Sequence, residues 1–382
     1  MQEAKFKFSA LDGLRGICAL SVMAYHMHII GSFTEHVFFR NSDLFVNFFF
    51  ILSGFVLANS YFAKPEFSFN SFMISRIFRI IPLHLSMLGF MLLLECIKWV
   101  AYANGVNFNS VPFTGLTALA EIIPNFLLIQ SWASFFSYLS FNYPSWSISV
   151  EFYSYILFGF VMIASYSYKK YYITLLILFS YILLNFDQNI VPAKALEGIF
   201  CIFSGSLLYV FFRKISGHIK LSFIVSTLLE ISCLILVLLL ITGRIERHIA
   251  LADAVFCIVM LTFAFQAGAI SFLLKRRFFM FLGKISYSIY LIHAPLLTCF
   301  IYAALFIQKI NNKTFVIDIS NQRYLIFSNP LMSDAASFMI ATLVILLSTL
   351  TYKNIEYKFN MIGKKFSESR DLRLRSSNQT VS

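Results

Sequence analysis

The chain reads as an all-α, polytopic membrane protein with about ten transmembrane helices and both termini cytoplasmic. Three observations carry that reading. Of the 382 residues, 59% are hydrophobic and only 13% charged, against about 25% charged in soluble domains. Apolar runs near the ~20-residue length that crosses a bilayer recur along the whole chain. The basic residues between those runs fall unequally on the two sides, as orientation signals do.

The runs lie at about 12–31, 44–63, 80–103, 146–166, 172–188, 195–212, 221–242, 251–272, 285–307 and 334–352. A further apolar stretch, Thr117 to Phe136, is broken by Pro124 and bracketed by polar residues, so it is expected as a re-entrant or interfacial element. With the N-terminus inside, 21 of the 30 lysines and arginines face the cytoplasm, eight face outward and Arg15 lies within the membrane. An eleventh span at 117–136 would invert this bias for every later loop. Residues 1–362 therefore form one membrane-embedded domain, and 363–382, short, basic and polar, is expected to be a disordered cytoplasmic tail.

The net charge of +12 is spread in short clusters between apolar runs, which argues against nucleic acid as a partner. Cys18, Cys96, Cys201, Cys233, Cys257 and Cys299 all fall inside apolar runs without metal-ligand or disulfide spacing, so no metal site is expected. The N-terminus has no cleavage site after a short apolar core and is not a removable signal peptide. A P-loop, a GxSxG elbow and a GxGxxG turn are absent from the sequence, which leaves ATP-driven transport, hydrolase chemistry and dinucleotide use without support.

Function is sought in the residues that do not belong in lipid, where an ionisable group costs roughly 2.5–3.5 kcal/mol on insertion scales. Arg15 and His26 interrupt the first run, "LDGLRGICALSVMAYHMH". Eleven positions apart, they lie within some 20° on one helix face and about 16 Å apart along the axis. The pair is placed to line a polar path; the plain alternative is a snorkelling arginine and a hydrogen-bonded core histidine. His28, 200° further round, is expected to face elsewhere. Arg76 and Arg79 in "SRIFRIIP" are neighbours on a helix surface and offer two planar forks of donors suited to phosphate; a basic loop that only sets topology is the alternative. In "YPSWSISVEFYSY", Glu151 enters the fourth run behind Trp146, Ser147 and Ser149, near the outer interface, where a tryptophan is ordinary and a glutamate is not. His293 stands about eight residues into the ninth run. The His248 and Asp253 pair has H-x4-D spacing but sits at an outer loop edge and is discounted.

Together "LDGLRGICALSVMAYHMH", "FVNFFFILSGFVL", "SRIFRIIP", "PSWSISVEFYSY" and "ISYSIYLIHAPLL" resemble the acyltransferase-3 family of integral membrane acyltransferases, which includes bacterial O-antigen and Nod-factor O-acetyltransferases. The resemblance runs from about Leu11 to Phe359. It implies that Arg15 and His26 occupy positions required for activity, that Arg76 and Arg79 match the arginine pair associated with the acyl-coenzyme A donor, and that Glu151 matches the family's acidic position. Asn47 departs from the aspartate many members carry, and Glu356 lacks the proline that often follows it.

The expected activity is transfer of an acetyl group from cytoplasmic acetyl-CoA to a hydroxyl of a cell-surface polysaccharide, lipopolysaccharide O-antigen being the leading acceptor, in the bacterial inner membrane. His26 would act as base or carry the acyl group itself, Glu151 would orient it, and Arg15 would stabilise the thioester oxygen or hold the pantetheine-phosphate end of the donor. His293, Ser147 and Trp146 are further candidates. Acetyl-CoA enters as co-substrate, with no bound cofactor. The rivals are another acyl donor or acceptor (succinyl; a lipid, antibiotic or Nod-type oligosaccharide) and a glycolipid or small-molecule transporter.

Overall fold

The computed structural model describes residues 6–64, 66–106, 110–164, 168–186, 191–245, 248–311, 313–320 and 322–379. Each expected run coincides with a long helix: α1 Ser9–Tyr25, α2 Phe45–Tyr61, α3 Phe69–Ala103, α4 Ser145–Ala164, α5 Lys169–Asn185, α6 Ala193–Ser216, α7 Phe223–Ile241, α8 Ile249–Phe265, α9 Arg277–Asn311 and α10 Pro330–Thr351. Among the described residues, seven helices are long and apolar enough to cross a membrane. The other three, α1, α5 and α8, have 17 residues each, about 26 Å at 1.5 Å per residue. The ends of the fourth run (165–166) and of the fifth run (187–188), Lys5, Arg247 and residues 380–382 of the expected tail lie outside the described residues.

Thr117 to Phe136 does not span. It folds into the single turns Gly115–Thr117 and Leu119–Glu121 and the short helix Ile122–Phe126, docked on the start of α4. Ser149 Oγ donates to Leu128 O at 2.5 Å, and Trp132 Nε1 donates to Ser149 O at 3.2 Å. These bonds satisfy backbone groups that lipid would leave unpaired.

Several features differ from expectation: α1 stops at Tyr25 although the first run extends to 31, and α9 begins at Arg277, ahead of the ninth run. The third run was placed from about residue 80, yet α3 begins at Phe69, capped by the Ser68 side chain. Its first turns are held by the tail: a π-helical turn, Tyr352–Glu356, leads from α10 into α11, Tyr357–Gln379. Residues 363–379 are thus helical where a disordered tail was expected, because Phe359 and Phe366 stack on Phe78 of α3 and Ser367 Oγ donates to Ser71 O at 3.1 Å. The eighth run breaks at Gln266, whose backbone is left-handed (φ 56°); its side chain binds Lys7 O and Ala10 N, and a separate helix, Ala269–Leu274, follows. Finally, β1 Val316–Ile319 and β2 Gln322–Leu325 form an unforeseen antiparallel hairpin that pairs through Leu325 with the backbone of His28 and Ile30.

The spine of the molecule is the crossing of α1 and α9. A Cβ on Gly16 would lie 2.6 Å from Gly283 N, and one on Gly283 would collide with Asp12 O, so the two backbones touch only because both residues are glycine. Gly283→Val should destabilise the protein by at least about 1–3 kcal/mol, the usual cost of overpacking. A wild-type thermal midpoint in detergent for that variant would show the helices to be freer than this packing.

Candidate active site

The polar residues expected in lipid form two groups at different depths. The inner group gathers around Arg15, Arg79, Glu151 and Glu356. Because Gly16 and Gly283 bring α1 and α9 together, the Arg15 guanidinium reaches Gly283 O at 2.6 Å. Glu151, one and a half turns into α4, accepts from Ser53 Oγ at 2.5 Å and from the Tyr155 hydroxyl. Glu356 comes from the π-helical turn, a feature frequent at functional sites, and accepts from Ser288 Oγ at 3.0 Å. Arg79 lies in the electrostatic field of both carboxylates. Arg15 is influenced by the same two and by Arg79 itself. Arg76 lies over the rings of Phe72 and Tyr155.

Arg76 and Arg79 are therefore half-buried groups on a helix, turned toward the bundle, and not members of an inner loop.

The outer group surrounds His26, the residue that closes α1. Its ring stacks on His293 (centroids 5.2 Å apart, planes 20°) and packs against Tyr143 at 4.5 Å. His293 is fully buried. Its Nδ1 lies 3.1 Å from Ile289 O, and a carbonyl can only accept, so Nδ1 carries the proton and Nε2 is the basic nitrogen. That Nε2 is buried without a protein partner.

Glu151 does not orient His26. The carboxylate is engaged by Ser53 and Tyr155 on the arginine side, and the titratable group stacked on His26 is His293. Between the levels of Arg15 and His26, the same face of α1 carries Ala19 and Val22, both buried.

His26 borders a cavity of about 820 Å³, shared with Tyr25, Asn47, Tyr143, Trp146 and Tyr290 and edged by charged groups. Lys194 is paired with Glu197 at 2.8 Å and lies over the Trp146 ring at 5.6 Å. Trp146 thus faces this cavity and is not only part of an interfacial belt. Ser147 lies beneath it, its hydroxyl 2.8 Å from that of Tyr290. His28 returns to the same cavity because α1 ends before it. Arg40 holds it there, 2.8 Å from His28 Nδ1, while also donating to Tyr25 O and Met27 O at 2.9 Å. His248 and Asp253 form no joint site: His248 is exposed, and the buried Asp253 lies beside Cys257 on its own helix.

Sequence reasoning missed Tyr143, Lys194 and Glu197. Lys194 and Glu197 carried a usable signal, an i,i+3 pair of opposite charge at the start of an apolar run; Tyr143, in a loop, carried none.

An aromatic, hydrogen-bonding cavity floored by imidazole suits a hydroxylated acceptor, and cations at the other end of the path suit a phosphorylated donor. Comparison with known proteins agrees in kind. The profile of a family described as an acyltransferase domain matches residues 8–352. A stretch of 163 residues is 33% identical to "Acyltransferase MdmB" of Streptomyces mycarofaciens, covering 40% of this chain and 38% of that protein. No solved structure matches. With residues 8–352, nearly the whole chain, inside that profile, the protein belongs to the acyltransferase-3 family of membrane acyltransferases.

Proposed function

We propose that the protein is an O-acetyltransferase of the bacterial inner membrane that moves the acetyl group of cytoplasmic acetyl-CoA to a hydroxyl of a cell-surface polysaccharide sugar, with lipopolysaccharide O-antigen as the leading acceptor. The observation that carries this reading is the placement of polar groups at two levels along one face of α1. Arginines are gathered at one end and, about 16 Å further along the axis, His26 borders a cavity of about 820 Å³, large enough for a sugar unit.

The acceptor hydroxyl loses its proton to the His26 imidazole as its oxygen attacks the thioester carbon. The tetrahedral intermediate collapses with cleavage of the carbon–sulfur bond. The coenzyme leaves as thiolate and takes up the proton, so the imidazole is restored. Arg15 lies too far down α1 to meet the oxyanion formed beside His26, so of its two expected roles the geometry favours holding the pantetheine-phosphate end of the donor. Arg76 and Arg79 bind its phosphates. The aromatic rings of Trp146, Tyr143 and Tyr25 give the sugar apolar faces to stack on.

Mass spectrometry of surface polysaccharide from cells with and without the protein tests the reading. An acetyl increment on a repeat unit that appears only with the wild-type protein supports it. A succinyl increment, or acetylation of a lipid or a small molecule instead, would move the assignment within the family, and donor-independent movement of a glycolipid would replace it with transport.

A further inference from the structure

Pro295 sits inside α9. Having no N–H, it leaves the carbonyl four residues earlier, that of Leu291, without its helical donor. That orphan is served from outside the helix: Asn142 Nδ2 donates to Leu291 O at 3.1 Å across a fully buried contact. Only the amide nitrogen can serve a carbonyl, which fixes the orientation of the Asn142 side chain. Its Oδ1 is buried without a protein partner.

The segment so anchored is the short stretch leading into α4. Phe141, left-handed at φ 54°, donates its N–H to Leu116 O at 3.0 Å, and Ser145 N donates to Asn142 O at 2.8 Å. A buried non-glycine residue holds such a backbone only where its surroundings overdetermine it. What the segment presents is Tyr143, whose ring lies 4.5 Å from His26 and 6.0 Å from His293 and which borders the cavity.

We propose that Asn142 is a positioning residue: by bonding the Leu291 carbonyl freed at Pro295, it presses the Tyr143 ring onto the His26–His293 stack and so sets the imidazole that receives the acceptor proton. The proline therefore has a use beyond bending α9. It exposes a backbone acceptor, two residues before His293 in the same helix, to which the loop is tied. This rests on His26 being the base.

The test is a double-mutant cycle on the full-length protein in membranes, comparing Asn142→Ala, the near-isosteric Asn142→Leu, Tyr143→Ala and the Asn142→Ala/Tyr143→Ala pair. Neither alanine nor leucine can donate to Leu291 O, so both Asn142 variants should lower kcat by about ten- to a hundredfold, as small misplacements of reacting groups do, with the KM for acetyl-CoA unchanged. In the Tyr143→Ala background the loss on changing Asn142 should disappear from kcat, while the effects on thermal midpoint still add. An undiminished kcat loss in that background, or wild-type kcat in Asn142→Leu, overturns the inference and leaves Asn142 a structural cap. If His26→Ala itself retains transfer, it is the assignment of the base that fails, which separates the two ideas.

Discussion

Membranes containing His26→Ala at wild-type protein levels should transfer acetyl groups about 10²- to 10⁴-fold more slowly, the range by which a positioned general base accelerates proton transfer. The expectation follows from placement. His26 borders the cavity that would admit a hydroxyl acceptor, and its ring is fixed between Tyr143 and His293. Radiolabelled acetyl-CoA supplied to inverted vesicles would measure the loss. The His293→Ala variant should be impaired less, since His293 is wholly buried and acts through the ring it supports. Near-normal transfer by His26→Ala would remove that histidine from the chemistry, and acid-labile acetyl label trapped on wild-type protein but not on this variant would make it the acyl carrier instead of the base.

The second large effect concerns the donor. Replacing Arg76 and Arg79 together by lysine should raise the KM for acetyl-CoA by at least about tenfold, since each lost charge-assisted fork is worth roughly 1.5–3 kcal/mol. The maximal rate at saturating donor should change far less. Lysine is the informative substitution because it keeps the positive charge that Arg79 places near Glu151 and Glu356, while removing the planar fork of donors. An unchanged KM in the double lysine variant would leave the arginines with a structural role only.

The ten helices were legible because a bilayer imposes one requirement, about 20 apolar residues in sequence, and each helix meets or nearly meets it. What was not legible is where helices outrun the membrane. The first turns of α3 and the tail helix α11 stabilise each other through Phe78, Phe359 and Phe366, a contact between segments that each look polar alone. In the site, helical periodicity placed Arg15 and His26 on one face of α1 without help from any other element. The rotation of α4 is different. It is set by Ser149 bonding to Leu128 O, a contact with the non-spanning element, and this turns Glu151 to Ser53 and away from His26. The stacking of His26 on His293 likewise depends on the glycine crossing of α1 and α9 and cannot be read from either helix.

That crossing and the residues above it bear on permeability. An enzyme whose donor and acceptor lie on opposite sides needs an opening for an acyl group, yet a continuous file of water through the same opening would dissipate the membrane potential. Between Arg15 and His26 the shared face of α1 carries only Ala19 and Val22, 0% and 1% exposed, and Phe49 of α2 packs edge-on against Tyr290 of α9, with ring centroids 6.0 Å apart. Apolar constrictions of this kind exclude water and ions. Were the donor and the acceptor to meet across this level, the same buried side chains would limit the leakage of protons between the arginine end and the histidine end.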